Sequence, residues 1–140
     1  ATYKKYILNF KNPSGTSRGI LRTKETWFII LNENNKSGIG ETGLFRGLSI
    51  DDVVDYKEKL IWVCNNINLG LDNLLPQLAN FPSIQFGLEQ AFLSLKSKSK
   101  FDLFPSEFTK GKAAIPINGL IWMGEKQFMK NQIKEKVITF

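Results

Sequence analysis

Two glycine-flanked loops contain the residue types in this sequence that are best suited to chemistry. SGTSRG at 14–19 combines glycines with Arg18, and the backbone N–H groups of such a loop attract anions together with a guanidinium. GLFRG at 43–47 has the same composition, with glycine hinges, the aromatic Phe45 and the cation Arg46. Hinges and tips of this kind suit a loop that closes over a small-molecule substrate. Ordinary surface loops share this composition, so the residues leave both interpretations open.

Other patterns carry less chemical information. GIGE at 38–41 is half of a glycine-rich nucleotide loop, but it lacks the third glycine, so we expect its glycines to serve a strand end. Glu41 is then an exposed or hydrogen-bonded acid, and Glu89, on an apolar helix, is expected to have a structural role. The sequence has no histidine, which removes the commonest general base and nearly every zinc site. The residues by themselves indicate no catalytic constellation and no metal site.

Length and composition predict one globular domain. The 140 residues are 42% hydrophobic and 23% charged, which is ordinary for a globular protein. Cys64 is the single cysteine, so an internal disulfide is excluded, and its apolar helical surroundings indicate a small buried hydrophobe. We find no apolar leader and no run of membrane length, and therefore expect a cytoplasmic protein with no membrane partner.

The positive charge is concentrated in the last third of the chain. The formal net charge is +6, and residues 94–140 contain nine lysines and four acids, including KSKSK at 96–100. A basic patch of this kind raises the question of nucleic acid. A solvated helix end explains it better, because no nucleic-acid motif and no interleaved aromatic residues accompany the lysines. We predict no nucleic-acid partner and keep a basic, non-enzymatic binding module as an alternative of another class.

The predicted elements are those of an α+β fold. Segments 2–10, 25–33 and 37–42 are rich in β-forming residues and predict an antiparallel three-stranded meander, with a loop at 12–19. Three helical segments follow, namely Ser49 to about Asn66 with Ser49 as N-cap, a short segment at 71–78, and a helix capped by Ser83. Residues 97–113 are a polar connector.

The stretch IPINGLIWMG at 115–124 needs a different kind of neighbour. It has the length and composition of a strand buried on both faces, and such strands belong mostly to parallel sheets covered by helices. Residues 125–138 follow with apolar side chains at helical spacing. The pair therefore looks like the opening of a β/α repeat.

Four ordered segments resemble a known family. They are GTSRGILRTKETWFI at 15–29, GIGETGLFRGLS at 38–49, FPSIQFGLEQAFLSL at 81–95 and IPINGLIWMG at 115–124. Together they resemble the enolase superfamily, in its muconate-lactonizing branch, and more closely the o-succinylbenzoate synthases. The resemblance implies an N-terminal capping domain at 1–112, with the first strand and helix of a TIM-like barrel at 113–140. A whole barrel takes roughly 200 residues or more, so the rest of it would lie beyond this sequence.

The resemblance also implies where the substrate would lie. Two cap loops of the family close over the barrel mouth, and active sites of such barrels lie at the C-terminal ends of strands. At the positions that match these loops and this strand end, the candidates to face substrate are Thr16, Ser17, Arg18, Phe45, Arg46 and Trp122. The family's catalytic lysines and three acidic magnesium ligands have no counterpart here. We therefore expect no catalytic residue and no metal ligand in this chain.

The implied reaction belongs to the full-length enzyme. It is magnesium-dependent removal of a proton α to a carboxylate, followed by loss of water, in menaquinone biosynthesis. The partners would be the barrel domain of the same enzyme and a small carboxylate substrate, and residues 1–140 by themselves are expected to be inactive. The same superfamily offers other reactions, namely those of muconate cycloisomerase, N-acylamino acid racemase and dipeptide epimerase. These remain open at this point.

Overall fold

The first part of the chain forms an antiparallel sheet. The computed structural model describes residues 1–16, 19–99 and 101–139. Strands β1 (Thr2–Thr16), β2 (Gly19–Glu33) and β3 (Lys36–Gly43) lie in the order β1-β2-β3. The helices described after them are α1 (Tyr56–Asn65), α2 (Leu71–Leu74), α3 (Pro82–Lys96) and α4 (Lys126–Thr139), with 3-10 helices at Ile67–Leu69 and Leu75–Leu78. The predicted α+β class and the three-stranded meander are confirmed.

The turn between β2 and β3 is tight. Asn34 and Asn35 have φ values of 47° and 63°, as a two-residue turn between β2 and β3 requires. The loop predicted at 12–19 is wrong for most of its length, because pairing resumes at Ser14–Leu21 and continues to Thr16–Gly19. The register shifts between Asn9 and Ser14. Pro13, which has no N–H to donate, lies in this interrupted stretch.

The first helix begins later than predicted. Helix α1 starts at Tyr56, and residues 45–55 form turns. Ser49 is not an N-cap, because its hydroxyl accepts a hydrogen bond from the N–H of Phe45, which precedes it. Asp52, expected in the first helical turn, instead accepts the N–H of Gly47. Polar side chains that could cap a helix are therefore used to close the preceding loop.

Helix α3 starts one residue before the predicted cap. Pro82 occupies its first turn, where a missing N–H costs nothing, and Phe81 stands at the N-cap position. Ser83 lies inside the helix, so its predicted capping role is wrong. Its N–H donates instead to the Asp51 carboxylate at 2.8 Å.

Glycines bring α3 directly against the middle of β3. A Cβ atom built on Gly40 would lie 1.7 Å from the carbonyl oxygen of Gly87, and one on Gly38 would lie 2.2 Å from that of Ala91. The glycines of the GIGE stretch therefore face a helix across a sheet. Our expectation that they serve a strand end is wrong, since both lie within Lys36–Gly43.

The core lies between the sheet and the helices. Its buried side chains come from β2, the turn after β3, and helices α1 to α3, and they are Trp27, Ile29, Leu31, Leu44, Tyr56, Leu60, Val63, Leu74, Leu78, Ile84, Leu88 and Ala91. Cys64 is buried beside them, as predicted, and burial raises the pKa of its thiol. Among the described residues, no helix is both long and apolar enough to cross a membrane.

The segment 113–125 is not a strand. Residues 115–123 pair with no strand among the described residues, and Ile117 is 77% exposed. The predicted buried strand is therefore wrong for this chain as folded here. The physical reason is the absence of a partner, since strand backbone groups need a neighbouring strand to hydrogen-bond. The predicted helix after it is confirmed as α4.

Candidate functional site

The end of the β1–β2 hairpin lies against the segment that precedes α4. Gly15 pairs with Ile20 across the hairpin, and a Cβ atom on Gly15 would lie 3.3 Å from the Cβ of Met123. Thr16 donates its hydroxyl to the carbonyl of Gly19 at 2.8 Å. Ser17 and Arg18, the other two residues predicted in this loop, lie outside the described residues.

Helix α4 holds the backbone of Trp122 beside this hairpin end. The Trp122 N–H donates to Oε1 of Gln132 at 2.8 Å, and its carbonyl accepts from Nε2 of the same side chain at 3.1 Å. The Trp122 side chain stays partly exposed. Through the adjacent Met123, the structure therefore brings two of the predicted positions, Thr16 and Trp122, into one neighbourhood.

A cavity lies along the β2 strand of the same hairpin. It measures about 410 Å³ and is open between β2 and the loop at 43–47. Ile20 and Phe45 contribute apolar walls, and Arg22 and Lys24 contribute positive charge. Glu25 and Arg46 also line the cavity, as an ion pair. The cavity can therefore take a small molecule with an apolar body and an anionic group.

Arg46 lies between two carboxylates. Its Nη1 is 2.5 Å from Oδ1 of Asp52, and its Nη2 is 2.8 Å from Oε1 of Glu25. These hydrogen bonds, the one to Asp52 first, raise the pKa of Arg46 against the opposing effect of burial. The guanidinium therefore stays charged and, through its two carboxylate partners, joins β2 to the loop that follows β3.

Glu25 is bound by three groups in total. Besides Arg46, it contacts Nζ of Lys5 at 2.6 Å and accepts a hydrogen bond from Nε1 of Trp27 at 3.0 Å. Burial alone would raise the pKa of this carboxyl, but the hydrogen bonds from Lys5 and Arg46 outweigh it and lower the pKa. Glu25 is therefore a carboxylate fixed on a rigid strand.

The loop at 43–52 is closed by its own hydrogen bonds. The Phe45 N–H donates to Oγ of Ser49 at 2.9 Å, and the Phe45 carbonyl accepts from the N–H groups of Leu48 and Ser49. Oδ2 of Asp52 accepts the Gly47 N–H at 2.7 Å, and this bond, followed by the bond from Arg46, lowers the pKa of Asp52. The loop is therefore ordered although its surface is largely exposed.

A buried polar network anchors the same loop to α3. Oδ2 of Asp51 accepts both the N–H and the hydroxyl of Ser83, at 2.8 and 2.6 Å. The Ser83 hydroxyl also lies 2.8 Å from the Tyr56 hydroxyl. Burial raises the pKa of Tyr56 despite its hydrogen bonds, so this phenol stays neutral in the network.

Lys24 and Glu41 form a smaller group beside Phe45. Nζ of Lys24 lies 5.1 Å from the centroid of the Phe45 ring and 3.6 Å from Oε1 of Glu41. That Glu41 oxygen accepts the hydroxyl of Thr26 at 2.7 Å. Glu41 is thus a partly exposed, hydrogen-bonded acid, as predicted.

Sequence reasoning missed Glu25, Lys24 and Asp52. A signal for Glu25 was present, because its position alternates with Trp27, Ile29 and Leu31, which are all buried on one face of β2. An acid at that spacing must find partners. Lys24 and Asp52 gave no comparable signal, because their contacts are set by how the loop folds over the sheet.

The described residues offer no place for a metal ion. Within 1–16, 19–99 and 101–139, no group of three or more acidic, cysteine or histidine side chains could hold one. We therefore assign no magnesium ligand to these residues.

Comparison with solved structures defines the class of protein. The chain superposes on the crystal structure of MenC from Desulfotalea psychrophila LSv54 with a TM-score of 0.64 and 28% identity, covering 98% of this chain and 45% of that one. It also superposes on o-succinylbenzoate synthase from Thermosynechococcus elongatus BP-1, complexed with Mg in the active site. That match has a TM-score of 0.55 and 19% identity, covers 69% of this chain and 30% of the other, and shows the fold alone. The chain belongs to the enolase superfamily, and its three strands and following helices match the N-terminal capping domain of o-succinylbenzoate synthase-like proteins.

The sequence comparison gives the same family. The chain is 35% identical to o-succinylbenzoate synthase of Desulfotalea psychrophila (strain LSv54 / DSM 12343) over 167 aligned positions, covering 97% of this chain and 45% of that protein. No protein-family model matches the chain. The chain thus spans about half the length of the relatives it matches.

Proposed function

We propose that this chain is the N-terminal part of an o-succinylbenzoate synthase-like enzyme. In this proposal, residues 1–112 form the capping domain and residues 113–140 contribute the first strand and helix of a barrel. The similarity over 97% of the chain supports it, as does the exposed apolar segment 115–123, which a neighbouring barrel strand would cover. The remainder of the enzyme is then the main partner of this chain, in the cytoplasm.

The proposed reaction of the full-length enzyme is a dehydration. A proton is removed α to a carboxylate and water is lost, as a step of menaquinone biosynthesis. Magnesium would supply Lewis-acid stabilisation of the negative charge, held by residues outside this chain. The names of the relatives support this assignment, and the lyase class follows from the same names.

We propose that this chain shapes substrate specificity. The candidates to face substrate are Thr16, Ser17, Arg18, Phe45, Arg46 and Trp122. The observation that carries the proposal is the position of one hairpin pair, because Gly15 lies against Met123 while Ile20, its partner, lines the cavity beside Phe45. A single hairpin thus reaches both neighbourhoods, and it is well placed to exclude water from a substrate bound beside it.

The test uses the full-length enzyme with magnesium. We expect it to dehydrate the hydroxy-acid precursor of o-succinylbenzoate, and we expect residues 1–140 by themselves to be inactive. Racemisation of an N-acylamino acid, epimerisation of a dipeptide or cycloisomerisation of muconate without dehydration would favour the corresponding alternative. Activity of 1–140 by itself would contradict the division of labour proposed here.

A pair of variants tests the role of the loop at 43–52. Phe45 lines the cavity, whereas Leu48, which is similarly exposed in the same loop, does not. We expect Phe45→Ala to raise KM about tenfold and Leu48→Ala to leave it unchanged. Equal effects of the two substitutions would mean that the loop acts only through its folding.

A further inference from the structure

We propose that Glu25 and Asp52 are positioning residues for substrate specificity, which hold Arg46 from two sides and thereby present Phe45 as a fixed wall of the cavity. The inference rests on the proposed function, since it assigns a role within the same site. Three side chains, Glu25, Arg46 and Asp52, form what we call the clamp.

The charge of Arg46 is balanced within the clamp. Two carboxylates neutralise it, at 2.5 Å from Asp52 and 2.8 Å from Glu25. The Arg46 side chain is 54% exposed, while those of Glu25 and Asp52 are 14% and 20% exposed. An isolated exposed ion pair contributes little, but here one cation is shared by two shielded carboxylates in a network. Arg46 is therefore engaged in holding structure and is not a free cation awaiting a substrate carboxylate.

The clamp joins β2 to the loop that follows β3. Glu25 is fixed on β2 by Lys5 and by the indole N–H of Trp27, which is itself in the core. On the other side, Asp52 also binds the Gly47 N–H, directly after Arg46 in the chain. The Arg46 side chain is therefore tied to β2 through Glu25, and the Gly47 N–H that follows it is tied to Asp52.

Asp51, the neighbour of Asp52 in the chain, anchors the same loop to α3. Asp51 points into the core and accepts two hydrogen bonds from Ser83 on α3. Two adjacent aspartates thus fix the loop in two directions, one to the helix and one to Arg46. Phe45 directly precedes Arg46 in this loop, with the Lys24 ammonium 5.1 Å from its ring centroid.

These contacts describe a preorganised surface and not a hinged lid. A loop already held in its binding conformation does not lose further conformational freedom when substrate arrives. Breaking the clamp should release Phe45 and weaken binding, while the reacting groups elsewhere in the enzyme stay in place. The expected consequence is a rise in KM with little change in kcat.

The first experiment measures kinetics of the full-length enzyme carrying Glu25→Gln, Asp52→Asn or Arg46→Gln. We expect each variant to raise KM about fivefold and the double variant Glu25→Gln/Arg46→Gln to raise it no further, because both substitutions break one unit. Glu33→Gln, an exposed carboxylate at the far end of β2, is the matched control and should leave KM unchanged. If Arg46→Gln raises KM while Glu25→Gln and Asp52→Asn do not, Arg46 contacts substrate directly and the proposal is overturned.

The second experiment follows the order of the loop without using activity. Trypsin cleaves after Arg46, and the clamp should protect this bond, so Glu25→Gln and Asp52→Asn should speed the cut roughly tenfold relative to cleavage after Lys57. Unchanged rates would overturn the clamp. If the enzyme fails to dehydrate the proposed substrate but the cut still accelerates, the proposed function fails and the clamp stands.

Discussion

The close approach of α3 to β3 makes a sharp prediction for Gly40. Substitution by Ala would place a Cβ atom 1.7 Å from the Gly87 carbonyl oxygen, and 2.8 Å from both the Gly87 carbonyl carbon and the Ala91 nitrogen. Real Cβ contacts below 3.0 Å are essentially never seen, so α3 and β3 must separate by about 1.3 Å at this point. The atoms in the way are helix backbone, which cannot turn aside as a flexible side chain would.

The cost follows from the layers that must separate. Inserting one methyl group into a packed core usually costs about 1–3 kcal/mol, and the overlap with backbone places Gly40→Ala at the upper end or above it. Separation of α3 also loosens Leu88 and Ala91, which are fully buried against the sheet. We therefore expect a loss of about 3 kcal/mol or more in the free energy of unfolding.

The same strand provides a matched control. A Cβ atom on Gly43 would meet only the Lys24 side chain, with Nζ at 3.3 Å, and that end can move. Gly43→Ala should change the free energy of unfolding by less than about 0.5 kcal/mol. Urea denaturation of the wild type and both variants, followed by circular dichroism, measures the difference. Equal midpoints for Gly40→Ala and Gly43→Ala would refute the claim that these glycines exist for close packing.

Two further predictions concern buried and shielded carboxylates. Asp51→Ala should lower the free energy of unfolding by about 1–3 kcal/mol in the same urea assay, because the N–H and hydroxyl of Ser83 lose their buried acceptor. Asp55 is exposed, and Asp55→Ala should have little effect on the same free energy. The pKa of Glu25 in the folded state is below the ordinary 4.5, so the folded protein binds fewer protons at this group than the unfolded chain does. The stabilisation that Glu25 contributes is therefore present above about pH 4.5 and is lost as pH falls through the folded pKa. The difference in unfolding free energy between wild type and Glu25→Gln should therefore be constant between about pH 6 and 8 and shrink below about pH 4.5. A difference that stays the same down to about pH 3 would contradict the role of Lys5 and Arg46 as partners of Glu25.

The elements that sequence reasoning predicted well are those set by local chemistry. Alternating β-forming residues gave the meander, and Asn34–Asn35 are suited to the positive φ values of its second turn. The start of α1 was wrong because Ser49, Asp51 and Asp52 have good capping chemistry but find better partners in three dimensions. A capping residue thus predicts a helix start only when no tertiary partner competes for its oxygen.

The candidate site was predicted as two loops, and the relation between them came from the structure. Composition drew attention to Phe45 and Arg46, but it could not indicate that Glu25, twenty-one residues before Arg46, would bind the guanidinium. Sheet register places Glu25 beside that loop, and register depends on every pairing from Thr2 to Gly43. The alternation with Trp27 and Ile29 was the one local indication that Glu25 faces inward.

The segment 115–123 was predicted to be a buried strand, and it forms no strand in the described structure. Its composition is that of a strand buried on both faces, yet its residues are mostly exposed and unpaired with any described strand. A buried strand is a property of a sheet, because its backbone groups are satisfied only by its neighbours. The composition therefore fits a strand with neighbours in a sheet, and the described residues provide no such neighbours for it. The relatives of this chain are about twice as long. Under the proposed function, the same residues would become a barrel strand when the rest of the enzyme covers them. Met123 at its end would then be fixed against the hairpin that it already approaches at Gly15.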